Sequence, residues 1–241
     1  MRPGVRPTYI ESPQLVAGYN DQYFKPAGSS IQFWAPVSGT STSLSDYPRT
    51  ELREAYAAGL RDFGENYLQE ALGKQLELAD LPLIWHFIGP IQSNKTRAIA
   101  EHFAWVHSVD RLKIAQRLSE QRPADLPPLN ICIQVNVSGE ASKSGCHPAD
   151  LPALAQAISE LPRLKLRGLM AIPEPTEDRA AQDAAFAAVN SLQASLQLPL
   201  DTLSMGMSHD LESAIAQGAT WVRIGTALFG ARDYPHMQGQ P

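Results

Sequence analysis

Ser208, Gly225 and Thr226 stand in the most informative setting of this chain, the stretch TLSMGMSHDLESAIAQGATWVRIGTALFG at 202–230. It reads as strand, glycine turn, helix, strand and second glycine turn. Ser208 falls at a helix start, where a hydroxyl can accept a backbone N–H and cap the helix. Leu211, Ala214, Ile215 and Gly218 keep helical spacing, and Gly218 falls where a helix stops. The strand at 221–224 then ends at Gly225-Thr226. Small and hydroxyl residues at two successive strand ends, each leading toward a helix, suit a phosphate, because helix N-termini present N–H groups and a favourable dipole. In β/α barrels the loops after strands 7 and 8 commonly form such a site. Asp210 and Glu212 act against it, since carboxylates repel a phosphate unless they point away. Arg223 sits in a barrel strand, where a lone charge is costly, so it needs an ion pair or an anionic ligand.

Other strand ends carry Glu65 and Asn66, then Gly89, Gln92, Ser93, Asn94 and Lys95, then Ser108, Asn136, Ser138, Met170 and Ser204. Hydroxyls, amides and glycines dominate, which favours holding a polar ligand over proton transfer by a tuned His, Glu or Lys. Asn66 has helix capping as its ordinary alternative role, and Glu65 is read as a cap of the adjoining helix. His86, in an apolar strand, reads as a hydrogen-bonded core histidine. Lys95 and Lys143 lie in polar loops, and solvent exposure is their default.

The elements that must position these residues alternate regularly from about residue 49. Strand-like runs occur at 62–64, 83–88, 105–109, 131–137, 166–172, 202–205 and 221–224. Amphipathic stretches lie between them: 49–60 with Leu52, Ala55, Tyr56 and Gly59 on one face, one capped by Asp110, and a long one capped by Thr176. Strict alternation implies a parallel sheet covered by helices. The helix at 49–60 requires one more strand before it, and eight strands predict a closed (β/α)8 TIM-type barrel in a single domain. No G-x-G-x-x-G follows a strand, which removes the main support for a dinucleotide fold. The segment 1–47 breaks the pattern with scattered Pro and Gly and a polar stretch, GTSTSLS, at 39–45. The run 31–37, IQFWAPV, is a candidate first strand in which Pro36 suits only an end or an edge. The first strand is therefore expected to be aberrant or missing, with a domain boundary between 47 and 48.

Composition bounds the partners. The formal charge of -5 excludes nucleic acid as a main partner, since phosphate-backbone binding needs a basic surface. No apolar run approaches the roughly 20 residues of a membrane span, and Arg2 and Arg6 are followed by no signal-peptide core. Cys132 and Cys146 form no disulfide framework and lack metal-ligand spacing. A cytoplasmic protein with reduced thiols is expected.

The segments FGENYLQEALGK, WHFIGPIQSNKTR, HSVDRLKIAQRL, QVNVSGEASKSG, LRGLMAIPEP and SMGMSHDLESAIAQGATWVRIGTALFGARDYP resemble the pyridoxal 5′-phosphate homeostasis proteins, the YggS/PROSC family, from about Pro48 to Tyr234. The resemblance implies a barrel like the N-terminal domain of alanine racemase, bound pyridoxal 5′-phosphate (PLP), and no established catalytic turnover. It also implies a monomer that serves vitamin B6 and amino-acid balance, with PLP-dependent apoenzymes as partners. By position, Ser208, Gly225 and Thr226 would hold the phosphate, Arg223 would face the pyridine nitrogen, and Asn66 and Met170 would line the ring pocket.

One departure matters. The family's first strand ends in a V-S-K-T-K-P-like motif whose first lysine forms the Schiff base with the cofactor aldehyde. Aligned on Pro48 without a gap, that lysine falls on Ser45, which cannot form an imine. Genuine divergence and a frameshift upstream of Pro48 both explain this, and the abrupt in-register return of the match favours the frameshift. Non-covalent PLP is expected. Two alternatives belong to other classes: a racemase-like enzyme of the same fold, which would need the lysine and a second domain, and a phosphate-binding isomerase with Glu65 as its base.

Overall fold

The strands of this chain send alternate residues to two different cores, and that alternation sets the architecture. A computed structural model describes residues 32–36, 47–138 and 144–224, those at 32–36 and 47–51 as backbone. Its elements run β1 Gln32–Pro36, α1 Tyr47–Ala57, β2 Asp62–Glu65, α2 Leu68–Glu77, β3 Ile84–Phe87, α3 Thr96–His102, β4 Trp105–Val109 and α4 Leu112–Gln121. They continue with β5 Leu129–Gln134, α5 Leu151–Ser159, β6 Leu164–Met170, α6 Arg179–Ser195, β7 Thr202–Met207, α7 Leu211–Ala216 and β8 Trp221–Arg223. The eight strands close into one barrel in sequence order, every pair parallel.

The first strand, expected to be aberrant or missing, is present. β1 pairs with β2 through Ala35↔Phe63 and Pro36↔Gly64, and with β8 through Gln32↔Trp221, Phe33↔Val222 and Trp34↔Arg223. Pro36 is its last residue, where a missing N–H costs the ladder least. The edges of β2 and β8 are therefore paired, and the barrel takes its first strand from within residues 1–47.

The outward faces of β2 to β8 pack on the helices. Phe63, Phe87, Ile131, Ile133, Leu169, Leu203, Met205 and Val222 join Leu52, Ile99, Leu118, Ile158 and Phe186 in one continuous core. Full burial of side chains this size contributes about 1.5–3 kcal/mol each. The inward residues form a separate cluster of Ile88, Trp105, Cys132, Met170 and Trp221 that fills the lumen. At its base, Arg167 grips Asp201 with two nitrogens (2.9 and 2.7 Å) and donates to Asn130 Oδ1 (2.9 Å), its guanidinium 4.8 Å from the Trp105 ring centre.

Helix ends follow local rules with two corrections. Gly218 (φ +99°) ends α7 as expected, with Ala219 N–H reaching back to Ala214 O (2.9 Å). Asp110 does not cap α4; its carboxylate is held by the neighbouring Arg111 instead (2.7 and 2.8 Å). α6 is capped by Asp178, whose carboxylate accepts Ala180 N–H (2.9 Å), while Thr176 Oγ1 accepts Asp178 N–H (3.1 Å). Among the described residues no helix is long and apolar enough to cross a membrane.

Arg122 shows how the helix layer is tied together. It is buried and donates to three backbone carbonyls, Ala100 and Phe103 through Nη1 (2.6 and 2.7 Å) and Pro127 through Nε (2.9 Å). Burial lowers its pKa, yet it meets carbonyl dipoles and no carboxylate among the described residues. Arg122→Met strips these buried acceptors of their donor and should lower unfolding free energy by about 3 kcal/mol in urea denaturation; a loss under about 1 kcal/mol would mean that water replaces the guanidinium.

Candidate functional site

Parallel strands all end at the same mouth of a barrel, so the residue at each strand's C-terminal end faces a common space. Met170 is the last residue of β6 and Arg223 the last of β8; Asn66 and Ser208 directly follow β2 and β7. These four sequence candidates therefore gather at one end of the barrel. Gly225 and Thr226, like Ser45 and Lys143, lie outside the described residues.

Arg223 is buried, 3 % exposed, and reaches across β7 to the end of β6. Nη1 donates to Ser204 O (2.9 Å) and Ser204 Oγ (3.3 Å), and Nη2 donates to Ala171 O (2.8 Å). Burial pulls its pKa down to about 10, so it remains a cation at neutral pH. Among the described residues no carboxylate lies within ion-pair distance, so the structural ion pair weighed for it is not formed there. Carbonyl dipoles hold the two terminal nitrogens, and Nε makes no hydrogen bond within the described residues. A buried cation at a barrel mouth, with Nε–H and one Nη2–H unspent among the described residues, is suited to an acceptor atom on a bound molecule.

Ser208 does not cap α7. The cap position is Asp210, and its carboxylate turns back to accept Met207 N–H (2.5 Å). Ser208 itself is half-buried, in the turn between β7 and α7, and its hydroxyl makes no hydrogen bond among the described residues. The repulsion expected from Asp210 and Glu212 is blunted, because Asp210 is spent on Met207 and Glu212 pairs with Arg179 of α6 (3.1 Å). Gly206, with φ +93°, lets β7 run against α7: a Cβ there would lie 2.4 Å from Ala214 Cβ.

On the opposite side of the mouth, Asn66 does not cap α2, whose cap residue is Tyr67 with no side-chain bond. Its backbone oxygen lies so close to Gly89 that a Cβ on Gly89 would stand 2.0 Å away. Ser108, read as a ligand candidate, is spent holding this junction by donating to Gly89 O (2.6 Å). Glu65 does not cap α2 either. It is buried and bonded to Lys74 of α2 (2.7 Å), on the helix side of the wall, so it offers no base to the mouth.

The loop after β3 is clamped from α4: Arg117 Nε donates to Ser93 O (3.0 Å) and Thr96 Oγ1 (3.1 Å), and Arg111 Nη2 donates to Ile91 O (3.2 Å). Lys95 stays half-exposed at the start of α3, whereas Gln92 and Asn94 are exposed. Asn136 and Ser138 follow β5 and are half-buried. Met170 is fully buried against Trp105, Cys132 and Trp221, so it forms lumen floor as well as mouth.

Sequence reading missed the polar file under the mouth. His86 Nε2 lies 3.0 Å from Asp62 Oδ1, and His86 Nδ1 lies 2.9 Å from His107 Nε2. Both rings are buried and packed in the Trp105–Trp221 cluster. His86 is indeed a bonded core histidine. The signal for its partner was parity: His107 lies two residues after Trp105, on the inward face of the next strand.

Comparison with known proteins agrees with this architecture. The family model for the alanine racemase N-terminal domain matches residues 50–233, and one for alginate lyase matches residues 2–75. A pyridoxal phosphate homeostasis protein of Pseudomonas aeruginosa is 81 % identical over 187 residues, covering 78 % of this chain and 81 % of the relative. The protein of the same name from Escherichia coli K12 is 56 % identical over 193 residues, 78 % of this chain and 82 % of the relative. Among solved structures, PipY of Synechococcus elongatus with PLP bound is 41 % identical with a TM-score of 0.78, covering 90 % of this chain and 99 % of PipY. Alanine racemase of Clostridium difficile, at 10 % identity and TM-score 0.71, covers 94 % of this chain and 58 % of the racemase and shares the fold. The chain belongs to the pyridoxal phosphate homeostasis protein family, on the barrel of the alanine racemase N-terminal domain.

Proposed function

We propose that the protein binds pyridoxal 5′-phosphate non-covalently and serves as a carrier in intracellular PLP and amino-acid homeostasis, without catalytic turnover. The observation that carries this is Arg223: a buried cation at the mouth, paired in register with Met207, next to Ser208, with Arg223 Nε and the Ser208 hydroxyl both unengaged among the described residues. The residues suit the group. Ser208, with Gly225 and Thr226, would hold the phosphate; Arg223 would face the ring nitrogen; Asn66 and Met170 would border the ring. When bound, PLP would supply an electrophilic aldehyde and an electron-withdrawing ring. A guanidinium facing the ring nitrogen donates a hydrogen bond without giving up its proton, because its pKa stays near 10. That arrangement weakens the ring as an electron sink and favours storage over reaction.

Absence of the covalent link rests on the sequence between Lys25 and Lys74, which contains no lysine. Neither Ser45 nor the end of β1 at Pro36 supplies an amine, and Lys74 is engaged by Glu65 behind the wall. A racemase-like enzyme would need that amine. The isomerase reading lacks its base, since Glu65 faces Lys74. We also propose that residues 1–47 are an in-frame segment of other origin and not a frameshift product. What supports this is the alginate lyase match over 2–75, a kind of resemblance that out-of-frame translation does not ordinarily carry.

Three outcomes follow. PLP added to the purified protein should bind reversibly and dialyse away, and borohydride should leave no mass adduct; a stable adduct would overturn non-covalent binding and direct attention to Lys95, Lys143 or Lys25. Ser208→Asp puts a carboxylate where the phosphate would sit and should weaken PLP binding about tenfold or more, equivalent to about 1.4 kcal/mol, with little change for pyridoxal, which lacks the phosphate. Equal loss for both ligands would place the phosphate elsewhere. Translation of the other two frames upstream of Pro48 should give no apolar strand ending in a Ser-Lys-Thr-like motif; finding one would restore the frameshift.

A further inference from the structure

We propose that Asp62, His86 and His107 form a directional hydrogen-bonded file that holds His107 neutral in the lumen layer of Arg223, making His107 a positioning residue for the guanidinium that meets the cofactor ring. This rests on the PLP-binding reading and deepens it. The direction of the file follows from donor counting. Asp62 as a carboxylate only accepts, so His86 Nε2 must donate across the 3.0 Å contact. A neutral His86 then has Nδ1 as acceptor, so His107 Nε2 must carry the proton shared across 2.9 Å. His107 Nδ1 is left as the hydrogen-free nitrogen.

Layering brings this ring to the site. Trp105 and Trp221 face each other in the lumen with ring centres 5.3 Å apart. His107 and Arg223 each stand two residues further along the same strands, one inward position nearer the mouth. Burial lowers the pKa of both histidines, and the Arg223 charge pushes His107 further in the same direction. Among the described residues, the ionisable groups facing the file are Asp62 on β2, Arg167 with Asp201 at the base, Cys132 on β5 and Arg223 on β8. Burial raises the Cys132 thiol, so it stays protonated and neutral.

With His107 neutral, Arg223 is the one cation of this layer among the described residues, and Arg167 below it is paired with Asp201. A neutral His107 offers a lone pair to its surroundings and no acidic proton to the ring nitrogen, whereas an imidazolium would repel Arg223 and could protonate the pyridine. Linkage gives an independent mark. The unfolded chain takes up protons at these histidines near pH 6.5 and the folded file resists them, so their share of stability is present above 6.5 and lost as pH falls below it. The urea midpoint should fall from pH 7.5 to 5, with His107→Phe showing a smaller fall.

The direct test is long-range nitrogen–proton NMR on histidine-labelled protein, first without PLP, from pH 8 to 5.5. Both His86 and His107 should appear as Nε2–H tautomers and stay untitrated; an Nδ1–H tautomer, or titration of His107 near pH 6.5, overturns the file. PLP is then added to the same sample. A shift of the His107 Nδ1 signal, together with about tenfold weaker PLP binding by His107→Phe, supports the positioning role. PLP retained with His107 unmoved and His107→Phe binding normally overturns that role. No PLP retained at all overturns the binding reading and the role with it, while the tautomer result still decides the file.

Discussion

Closing eight short parallel strands around a packed lumen is the constraint on which the rest of the molecule depends. Each strand must pair on both sides and present apolar residues outward, while its inward residues fit a tapering space. In β8 this means that Trp221 fills the lumen, Val222 joins the helix-side core and Arg223 is carried to the mouth. The guanidinium cannot escape to water from that position. It survives there because the ends of β6 and β7 turn carbonyls toward it at 2.8 and 2.9 Å. The geometry that closes the barrel thus also builds the cationic floor of the site.

The same closure explains why an unusual N-terminal segment is tolerated. β1 needs only backbone pairing with β2 and β8, and a five-residue run ending in proline meets that need. Pairing is indifferent to side-chain chemistry, so a segment that matches the alginate lyase model can complete the wall whatever side chain stands at the strand's end. On the proposed reading, fold and covalent chemistry are separable in this chain. Closure requires a strand at this position, whereas the link to the aldehyde requires one particular side chain at its end.

Periodicity made the strands and the helix stop at Gly218 legible from sequence, because they depend on local alternation and a single left-handed residue. Caps were less legible. Ser208, Asp110 and Thr176 were all plausible by type, yet Asp210, Arg111 and Asp178 hold the cap positions. The side chain that wins a cap depends on the path of the incoming turn, which residue type does not reveal. Glu65 was misread for a related reason: its partner Lys74 is nine residues away on the packed helix. The Asp62–His86–His107 file was hidden because it joins three strands, and only their inward parity places the three side chains together.

On the proposed reading Arg223 and Ser208 are the intact half of a cofactor site whose covalent half is absent, and a crystal structure of the protein soaked with PLP tests that claim most directly. The account predicts phosphate density within hydrogen-bonding distance of Ser208 Oγ, the ring nitrogen at Arg223 Nε, and no continuous density from the aldehyde carbon to any lysine. Density joining the cofactor to a lysine, or a ring bound away from Arg223, would contradict it.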